Sequence, residues 1–499
     1  MHSRFVVVAS VVASASALVA CTSLLGDFTV GGGSKPYGGG DAGRDAQGGG
    51  DAESGGDAQG EAGPHTFVCN EDTAARTTLA PNFPNDAPPS KVWTYARQLG
   101  DGHLHAQSFV AFSQTTNGVL SGGLKGWDLD TSGPSSASSL PNINSNGAVV
   151  LNVKPTSSGL AALAFTKPTG NFSIFTLKDG DPSWTHLDAT YPYKLNDACL
   201  VSGDFLSLSP NNDYLVLASY VSPDPNYGCQ KPNGLAQLFT AKMVGGAAGN
   251  INFLPAPYIK DFMVGAPEIR VPRQALAMMS DKSFTAMVLP FYPPDPGPQE
   301  LLPVKSTSVF YALDSGGGLS FGTSGPDRLQ LNSPATSRLL GLAVGSAPGG
   351  LVNVGFAGGD VTDPSLFVGQ AKAVSLATLN VWADVKKTPV QKLAELPLIN
   401  ASARWYSFTN PGGEDLLAVA PGDGYPGVNL YWFTQDGALV TSRRATEPNQ
   451  LFANNKMTAV DVTFHSPPKP GTSGDLGFAF TEPAASGTYN FVYARAHCQ

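Results

Sequence analysis

The chain has 499 residues, more than the roughly 250 to 300 at which a single compact core stops growing, so two domains or a repeated architecture are required. Only 14% of its residues are charged, while 57 are glycine and 40 are proline, which favours many turns and little exposed charged helix. The formal net charge of −9 offers no basic surface and excludes nucleic acid as a partner.

Residues 1–20 have the layout of a secretory signal, with an uncharged apolar run that ends in small residues. The run is too short for a flanked membrane span of about 20 apolar residues. Leu18-Val19-Ala20-Cys21 resembles the bacterial lipobox, in which the cysteine receives a diacylglyceryl group, the peptide is cut before it, and the new amino group is acylated. The resemblance implies that Cys21 is the lipidated first residue of the mature protein. An ordinary secretory signal with a coincidental cysteine is the alternative.

A lipid-modified Cys21 would anchor the protein without a transmembrane helix. Two or more acyl chains, each contributing about 0.8 kcal/mol per buried methylene, hold a protein at a bilayer where one chain gives only marginal binding. The predicted location is therefore outside the cytoplasm and at a membrane. By this resemblance it is the outer membrane, and the periplasmic and surface faces both remain open.

A low-complexity segment follows the lipobox. From Gly31 to Pro64 nearly all residues are Gly, Ala, Asp, Ser or Gln, and such a composition cannot bury enough apolar surface to offset the entropy of ordering. Residues 21–64 are therefore predicted to be a flexible linker with an average reach of roughly 30 Å. A calcium-binding β-roll is the alternative, but it requires regular nonapeptides with a recurring apolar position, and the glycine clusters are irregular.

Beyond Cys69 one kind of hairpin recurs, with an apolar strand, a polar turn and a second apolar strand rich in Ala or Gly. The clearest copy runs from Phe205 to Tyr220. Its Ser-Pro-Asn-Asn turn at 209–212 suits a reversal because proline presets φ and asparagine tolerates the left-handed region. This copy resembles the Ser-Pro-Asp-Gly hairpin between the inner strands of TolB-like and WD40-like β-propeller blades. Six related turns are predicted near Asn117, Ser157, Asp281, Ala347, Gly412 and Lys469.

The resemblance covers about Lys91 to Cys498 and implies an all-β fold, a β-propeller, over residues 65–499. Seven four-stranded blades fit the hairpins, six or eight remain possible, and tandem β-sandwiches are the structural alternative. In propellers closed by a shared blade, the last unit takes its outer strand from the beginning of the domain. Val92–Gln98 is therefore expected to pair with the strand Tyr489–Arg495 and to complete blade seven.

Four cysteines remain when Cys21 is set apart, an even number that permits two disulfides in an oxidising compartment. The implied closure of the ring would bring Cys69 and Cys498 together. The implied third blade would place Cys199 before its first strand and Cys229 after its second, on the same face. A scrambled or free set of thiols is the alternative.

The sequence contains no serine-hydrolase elbow, zinc-protease helix or phosphate loop, so no catalytic residue and no cofactor are predicted. His103 and His105 would point to the same side of a strand, where they could bind a metal. No third ligand is identifiable, and we expect surface or loop histidines and no metal site. The Lys178–Trp184 turn has the wrong spacing for the Asp-box of sialidases.

The loops that follow the second strands are long and carry carboxylates beside aromatic rings. In a propeller they would converge around one mouth, where a ring could stack on a sugar or peptide group and carboxylates could accept its hydrogen bonds. For any single residue, a solvated turn is the alternative. The nine candidates are Tyr220, Asp224, Tyr227, Tyr292, Asp295, Asp423, Tyr425, Glu482 and Tyr489.

These patterns together predict a membrane-anchored, exported lipoprotein whose propeller binds a ligand or acts as a scaffold, as in outer-membrane assembly lipoproteins that also carry propellers. The expected partners are the membrane, through the lipid on Cys21, and a protein or carbohydrate at the propeller face. The alternative is a secreted enzyme that acts on carbohydrates or peptides through carboxylates at the mouth.

Overall fold

A computed structural model describes residues 67–85, 89, 91–116, 119–131, 136–146, 148–166, 171–189, 200–209, 213–221, 236–244, 247–253, 273–278, 284–289, 307–313, 319–320, 328–330, 337–347, 351–360, 365–373, 386–387, 391–395, 402–406, 415–420, 426–433, 449–466, 473–485 and 487–499. Every regular element within these ranges is a β-strand. The strands belong to one compact unit, Ala62–Gln499. The predicted signal peptide and linker lie outside the described residues.

The described strands form seven antiparallel sheets, numbered in chain order. The first strand of the chain, β1 (Cys69–Pro84), belongs to sheet seven. Sheet one contains β2 (Val92–Gln98), β3 (Leu104–Thr116), β4 (Val119–Asp130) and β5 (Ala137–Asn146). Sheet two contains β6 (Ala148–Thr156), β7 (Gly159–Thr166), β8 (Asn171–Lys178) and β9 (Thr185–Ala189). Sheet three contains β10 (Leu200–Ser209), β11 (Asp213–Val221), β12 (Ala236–Val244) and β13 (Ala247–Phe253).

The remaining four sheets continue the same order of hairpins. Sheet four contains β14 (Arg273–Met278), β15 (Phe284–Leu289), β16 (Thr307–Leu313), β17 (Leu319–Ser320) and β18 (Arg328–Gln330). Sheet five contains β19 (Ser337–Ala347), β20 (Leu351–Asp360), β21 (Ser365–Ala373), β22 (Lys386–Lys387) and β23 (Gln391–Glu395). Sheet six contains β24 (Ser402–Tyr406), β25 (Asp415–Ala420), β26 (Val428–Phe433) and β27 (Asn449–Leu451). Sheet seven contains β28 (Ala459–Ser466), β29 (Gly474–Pro483), β30 (Thr488–Cys498) and β1.

The sheets contact one another in chain order, and the contacts return to the first sheet. Sheets one and two meet through β4 and β6, and the first strands of sheets two to seven contact one another in succession. The first strand of sheet seven, β28, then contacts the first strand of sheet one, β2. The backbone N–H groups of Thr94 and Ala96 donate to Asp461 Oδ2 at 2.9 Å and Thr463 Oγ1 at 3.1 Å, so β2 and β28 run in the same direction.

Apolar side chains fill the spaces between adjacent sheets. Sheet one is covered on one face by sheet seven, where Ala106 and Leu129 pack with Phe491, and on the other by sheet two, where Phe109 packs with Leu160. A strand between two such layers is apolar on both faces, which explains the continuous buried run of β7. The described residues are therefore all-β, as the sequence predicts, in antiparallel sheets of four or five strands.

The closing strand of sheet seven differs from the prediction. Val92–Gln98 is the first strand of sheet one, and β1 pairs with β30 instead, from Cys69 opposite Cys498 to Pro84 opposite Thr488. The prediction was wrong because β1 is an edge strand that buries few side chains. Its polar sequence therefore lacks the apolar alternation that marks a strand.

In sheet one, the predicted hairpin joins a different pair of strands from the pair it joins in the other sheets. The turn near Asn117 joins β3 to β4, the second and third strands, whereas the other predicted turns join first and second strands. The equivalent turn of sheet one is Leu99–His103, where Leu99 N donates to His103 O at 3.1 Å and Gly102 adopts φ +82. Glycine is suited to that left-handed conformation because it has no Cβ.

A disulfide joins Cys69 to Cys498 and confirms that predicted pairing. Both cysteines are buried, and the next residues outward, Val68 and Gln499, exchange two backbone hydrogen bonds at 3.0 and 3.1 Å. We call β1, β30 and these flanking residues the closure seam. Cys199 and Cys229 lie outside the described residues.

Candidate functional site

Most of the predicted ligand-face residues cannot be located. Tyr220 lies on β11, opposite Val201 and Gln237, and its side chain is outside the described part of the chain. Six candidates lie wholly outside the described residues: Asp224, Tyr227, Tyr292, Asp295, Asp423 and Tyr425. Side chains are described for Glu482 and Tyr489.

Glu482 is hydrogen-bonded to Arg76 of β1. Arg76 Nη2 donates to both of its carboxylate oxygens, at 3.0 and 3.1 Å, and Asn455 Nδ2 donates to Oε2 at 2.7 Å. Arg76 Nη1 also donates to Asn455 Oδ1 at 2.9 Å, and its guanidinium lies 5.6 Å from the centre of the Phe480 ring. The Glu482 carboxylate is therefore part of the contacts that hold β1 in the closure seam.

Tyr489 is likewise packed into the closure seam. Its ring centre lies 6.2 Å from that of Phe83 on β1, and it is opposite Pro483 in the register of β29 and β30. The two described candidates thus lie on neighbouring strands, and both contact β1. Their described contacts are internal to the protein.

A second group of side chains lies where β2 turns into β3 and where β4 ends. We call it the turn cluster, and it consists of Asp101, His103, His105, Asp128 and Asp130. The β2–β3 turn supplies Asp101 and His103, β3 supplies His105, and the end of β4 supplies both remaining aspartates. Antiparallel pairing of β3 and β4 sets His105 directly opposite Asp130. Side chains that face one another across a strand pair lie close enough to interact.

Each histidine of the turn cluster contacts a carboxylate. His103 Nδ1 lies 3.0 Å from Asp130 Oδ2. His105 is bonded through both ring nitrogens, Nδ1 to Asp128 Oδ2 at 2.8 Å and Nε2 to Asp101 Oδ2 at 2.9 Å. Asp101 Oδ1 also accepts the backbone N–H of His103 at 2.9 Å, which fixes the turn.

These contacts shift the titration of the cluster. Burial lowers the pKa of His105, but its hydrogen bonds to Asp101 and Asp128 outweigh that effect, and the net pKa is raised. The hydrogen bond to Asp130 raises the pKa of His103. The backbone N–H of His103 and the side chain of His105 lower the pKa of Asp101. The cluster therefore favours protonated histidines beside ionised carboxylates.

The turn cluster adjoins a contact between sheets one and two. Arg97 of β2 makes two hydrogen bonds to the carboxylate of Asp179, at 2.9 and 2.8 Å, and a third to Gln107 Oε1 at 2.7 Å. Asp128 Oδ1 is buried and has no hydrogen-bond partner among the described residues. A carboxylate oxygen in that state destabilises its surroundings because it has lost water without gaining a donor.

The arrangement can exchange protons. The described residues contain no group of three or more His, Cys, Asp or Glu side chains placed to hold a metal ion.

The sequence identified His103 and His105 as a pair but not their carboxylate partners. Two of those partners, Asp128 and Asp130, lie on β4, which the predicted turn near Asn117 brings beside β3.

A third histidine was missed by the sequence interpretation. His465, near the end of β28, has an Nε2 atom hydrogen-bonded to Tyr493 Oη and an Nδ1 atom that is buried with no partner in the described part of the chain. Burial, reinforced by the positive charge of Arg495, lowers the pKa of His465 to about 4. His465 is therefore neutral at physiological pH.

The described residues include no helix that could span a membrane. No protein-family model matches the chain, and no curated protein matches it.

Solved structures give distant similarities. The chain is similar to a PL25 polysaccharide lyase, an ulvan lyase, with a TM-score of 0.40 and 11% identity over 74% of this chain and 96% of that chain. It is similar to the GH93 alpha-L-arabinofuranosidase of Fusarium graminearum with a TM-score of 0.32 and 9% identity over 69% and 93%. It is similar to the hydrazine synthase of Kuenenia stuttgartiensis with a TM-score of 0.35 and 10% identity over 83% and 98%. Such low values assign this chain neither a substrate nor a reaction.

Proposed function

We propose that the protein is an exported, lipid-anchored binding or scaffolding module, and that the seven sheets formed by the described strands are the blades of a β-propeller. The observation that carries the proposal is the closure seam. The strand that follows the predicted linker is fixed to the last strand of the chain by a disulfide.

The succession of sheet contacts supports a propeller. Seven antiparallel sheets meet in chain order, β28 returns to β2, and β1 completes the last sheet. A ring of this kind leaves only short outer edges, which avoids the long exposed strands of an open sheet. Tandem β-sandwiches would not account for contacts that return from the last sheet to the first.

The disulfide supports export. Structural disulfides form and persist in oxidising compartments and are rare in the reducing cytoplasm. The lipobox-like Leu18-Val19-Ala20-Cys21 supports a lipid anchor, with the outer membrane as the proposed site. The proposed arrangement is then a lipid on Cys21, a flexible spacer and a rigid domain.

The anchor is tested by metabolic labelling with a fatty acid, followed by membrane fractionation. We expect Cys21→Ser to lose the lipid label and to leave the membrane fraction. A substitution within the same signal, Ser16→Ala, serves as the control and should retain both. Label that survives in Cys21→Ser would overturn the anchor.

Binding is separated from catalysis by offering the purified protein a panel of polysaccharides and peptides. A binding module retains its ligand chemically unchanged. Turnover of a panel member that disappears in Asp224→Asn, Asp295→Asn or Asp423→Asn would replace the proposal with a carbohydrate- or peptide-active enzyme.

A further inference from the structure

We propose that the turn cluster is a pH-dependent clasp, which holds the β2–β3 turn onto the end of β4 at mildly acidic pH and loosens it as the pH rises. The proposal concerns regulation of the folded domain and does not rest on the lipid anchor. It follows from the hydrogen-bonding geometry of His105 and from the charges that surround it.

His105 can make both of its contacts only as an imidazolium. Ionised carboxylates accept hydrogen bonds and cannot donate them, so both ring nitrogens must carry a proton to bond Asp128 and Asp101 together. When His105 loses one proton, one nitrogen presents a lone pair to a carboxylate oxygen. One of the two contacts, either to the turn or to β4, then becomes repulsive.

Loss of the histidine charges also weakens the closed turn through electrostatic repulsion. His103, His105 and Arg97 face the carboxylates of Asp101, Asp128, Asp130 and Asp179. Deprotonation of both histidines would remove two positive charges from a group that contains four carboxylates. The carboxylate of Asp128 is largely buried, so its repulsion of the neighbouring carboxylates is screened less by salt than repulsion on an open surface, and this repulsion would drive the turn outward.

The element packed on the other side of sheet one cannot replace the lost charge. Arg495 of β30 reaches this end of the sheet, where its Nη1 donates to the backbone carbonyl of Thr131 at 3.3 Å. Its Nη2 is paired with Asp72 at 3.4 Å. The neighbouring His465 is kept neutral by burial, since its pKa is about 4.

The direction of the pH effect follows from the directions in which the pKa values of the cluster are changed. The pKa values of His103 and His105 are raised from 6.5, so their contribution to the closed turn is complete below pH 6.5 and is lost as the pH rises through the folded values. The pKa of Asp101 is lowered from 3.8, so its contribution is present above that value and is lost in stronger acid. The clasp is therefore fully closed between about pH 4 and pH 6.5, and it loosens as the pH rises through the raised pKa values of the two histidines.

One feature of the closed cluster favours opening. Asp128 Oδ1 is buried without a hydrogen bond, and movement of the turn would let water reach it. Asp101 is about half exposed and lies on a turn, so the moving part is at the surface. Opening therefore needs no rearrangement of the apolar layers between the sheets.

The experiment measures amide hydrogen exchange of the β2–β3 turn in the full chain between pH 6 and pH 8.5, with the chemical rate divided out. We expect the exchange of residues 99–105 to rise by at least about threefold beyond the chemical rate. His105→Gln and Asp101→Asn should each reduce that extra dependence, because the contact between His103 and Asp130 remains in both variants. Asp101→Asn alters an exposed side chain, so it separates loss of the clasp from failure to fold.

His186→Gln is the matched control, because His186 lies at the beginning of β9, outside the cluster. It should leave the extra pH dependence of the turn intact. Exchange of the wild-type turn that follows the chemical rate alone would overturn the proposal. An extra dependence that is undiminished in both cluster variants would overturn it as well.

Discussion

The closure seam and the turn cluster both hold the ends of strands in place, but they use opposite kinds of interaction. The seam joins β1 to β30 by a disulfide between buried cysteines, with the Phe83 and Phe491 side chains buried beside it. The turn cluster joins a surface turn to β4 through His105, whose two simultaneous hydrogen bonds to Asp128 and Asp101 require an imidazolium. The seam is therefore held by a covalent bond and apolar packing, neither of which depends on pH, whereas the β2–β3 turn is held by a titratable network.

The largest expected effect comes from removing apolar volume at the seam. Phe491 is fully buried, and its ring centre lies 5.2 Å from that of Trp127 in sheet one. Phe491→Ala should lower the free energy of unfolding by about 4 kcal/mol, because it leaves a cavity between two sheets. Denaturant unfolding measures the loss. Phe464→Ala, at a partly buried ring, should cost less, and equal losses would contradict the assigned role of the seam.

The second effect comes from the covalent bond. Cys69→Ala combined with Cys498→Ala should lower the free energy of unfolding by about 3 kcal/mol, since the bond closes a separation of 429 residues. Limited proteolysis should then cleave β1 before the other strands. Cys21→Ser, outside the domain, should leave both results unchanged. Stability that is the same with and without the bond would show that pairing of β1 and β30 is sufficient for closure.

A buried carboxylate joins the same two sheets and should have the third effect. Asp461 is almost fully buried, and its two oxygens accept the backbone N–H groups of Thr94 and Val462 at 2.9 and 3.0 Å. Asp461→Ala leaves both donors without that acceptor and should cost about 2 kcal/mol of unfolding free energy. The exposed Asp181→Ala is the control and should be nearly neutral. A neutral Asp461→Ala would remove this contact from the account of ring closure.

The smallest effect, and the one that separates the two regions, is the pH dependence of stability. His103→Gln should reduce the fall in stability as the pH rises above 6.5, because the histidine pKa is raised by Asp130. Unfolding midpoints at pH 6 and pH 8.5 measure this slope. Cys69→Ala with Cys498→Ala should lower stability equally at both pH values. A slope that changes in the cysteine variant would contradict the division between the regions.

Local signals were sufficient for much of the fold. The turns near Ser157 and Asn211 were predicted because proline, asparagine and serine favour turns through their effects on the local backbone. Both turns lie between first and second strands, as expected. The strand β1 was missed because an edge strand needs little apolar sequence, and its partner lies at the other end of the chain. Long-range pairing leaves no local pattern.

The site was harder to predict for the same reason. The contact between Glu482 and Arg76 spans 406 residues, so the sequence presented Glu482 only as a carboxylate beside an aromatic residue. His103 and His105 were identified as a pair by their spacing. Extending the predicted turn near Asn117 into a strand register would have brought Asp128 and Asp130 beside β3, although that register sets His105 opposite Asp130 and not opposite its observed partner Asp128.

The most direct test is peptide mapping by mass spectrometry of the non-reduced protein isolated from membranes. We expect an acylated N-terminal peptide that begins at Cys21 and a disulfide-linked pair of peptides that contain Cys69 and Cys498. A mature chain that retains residues 1–20, or a Cys69 peptide linked to Cys199 or Cys229, would contradict it.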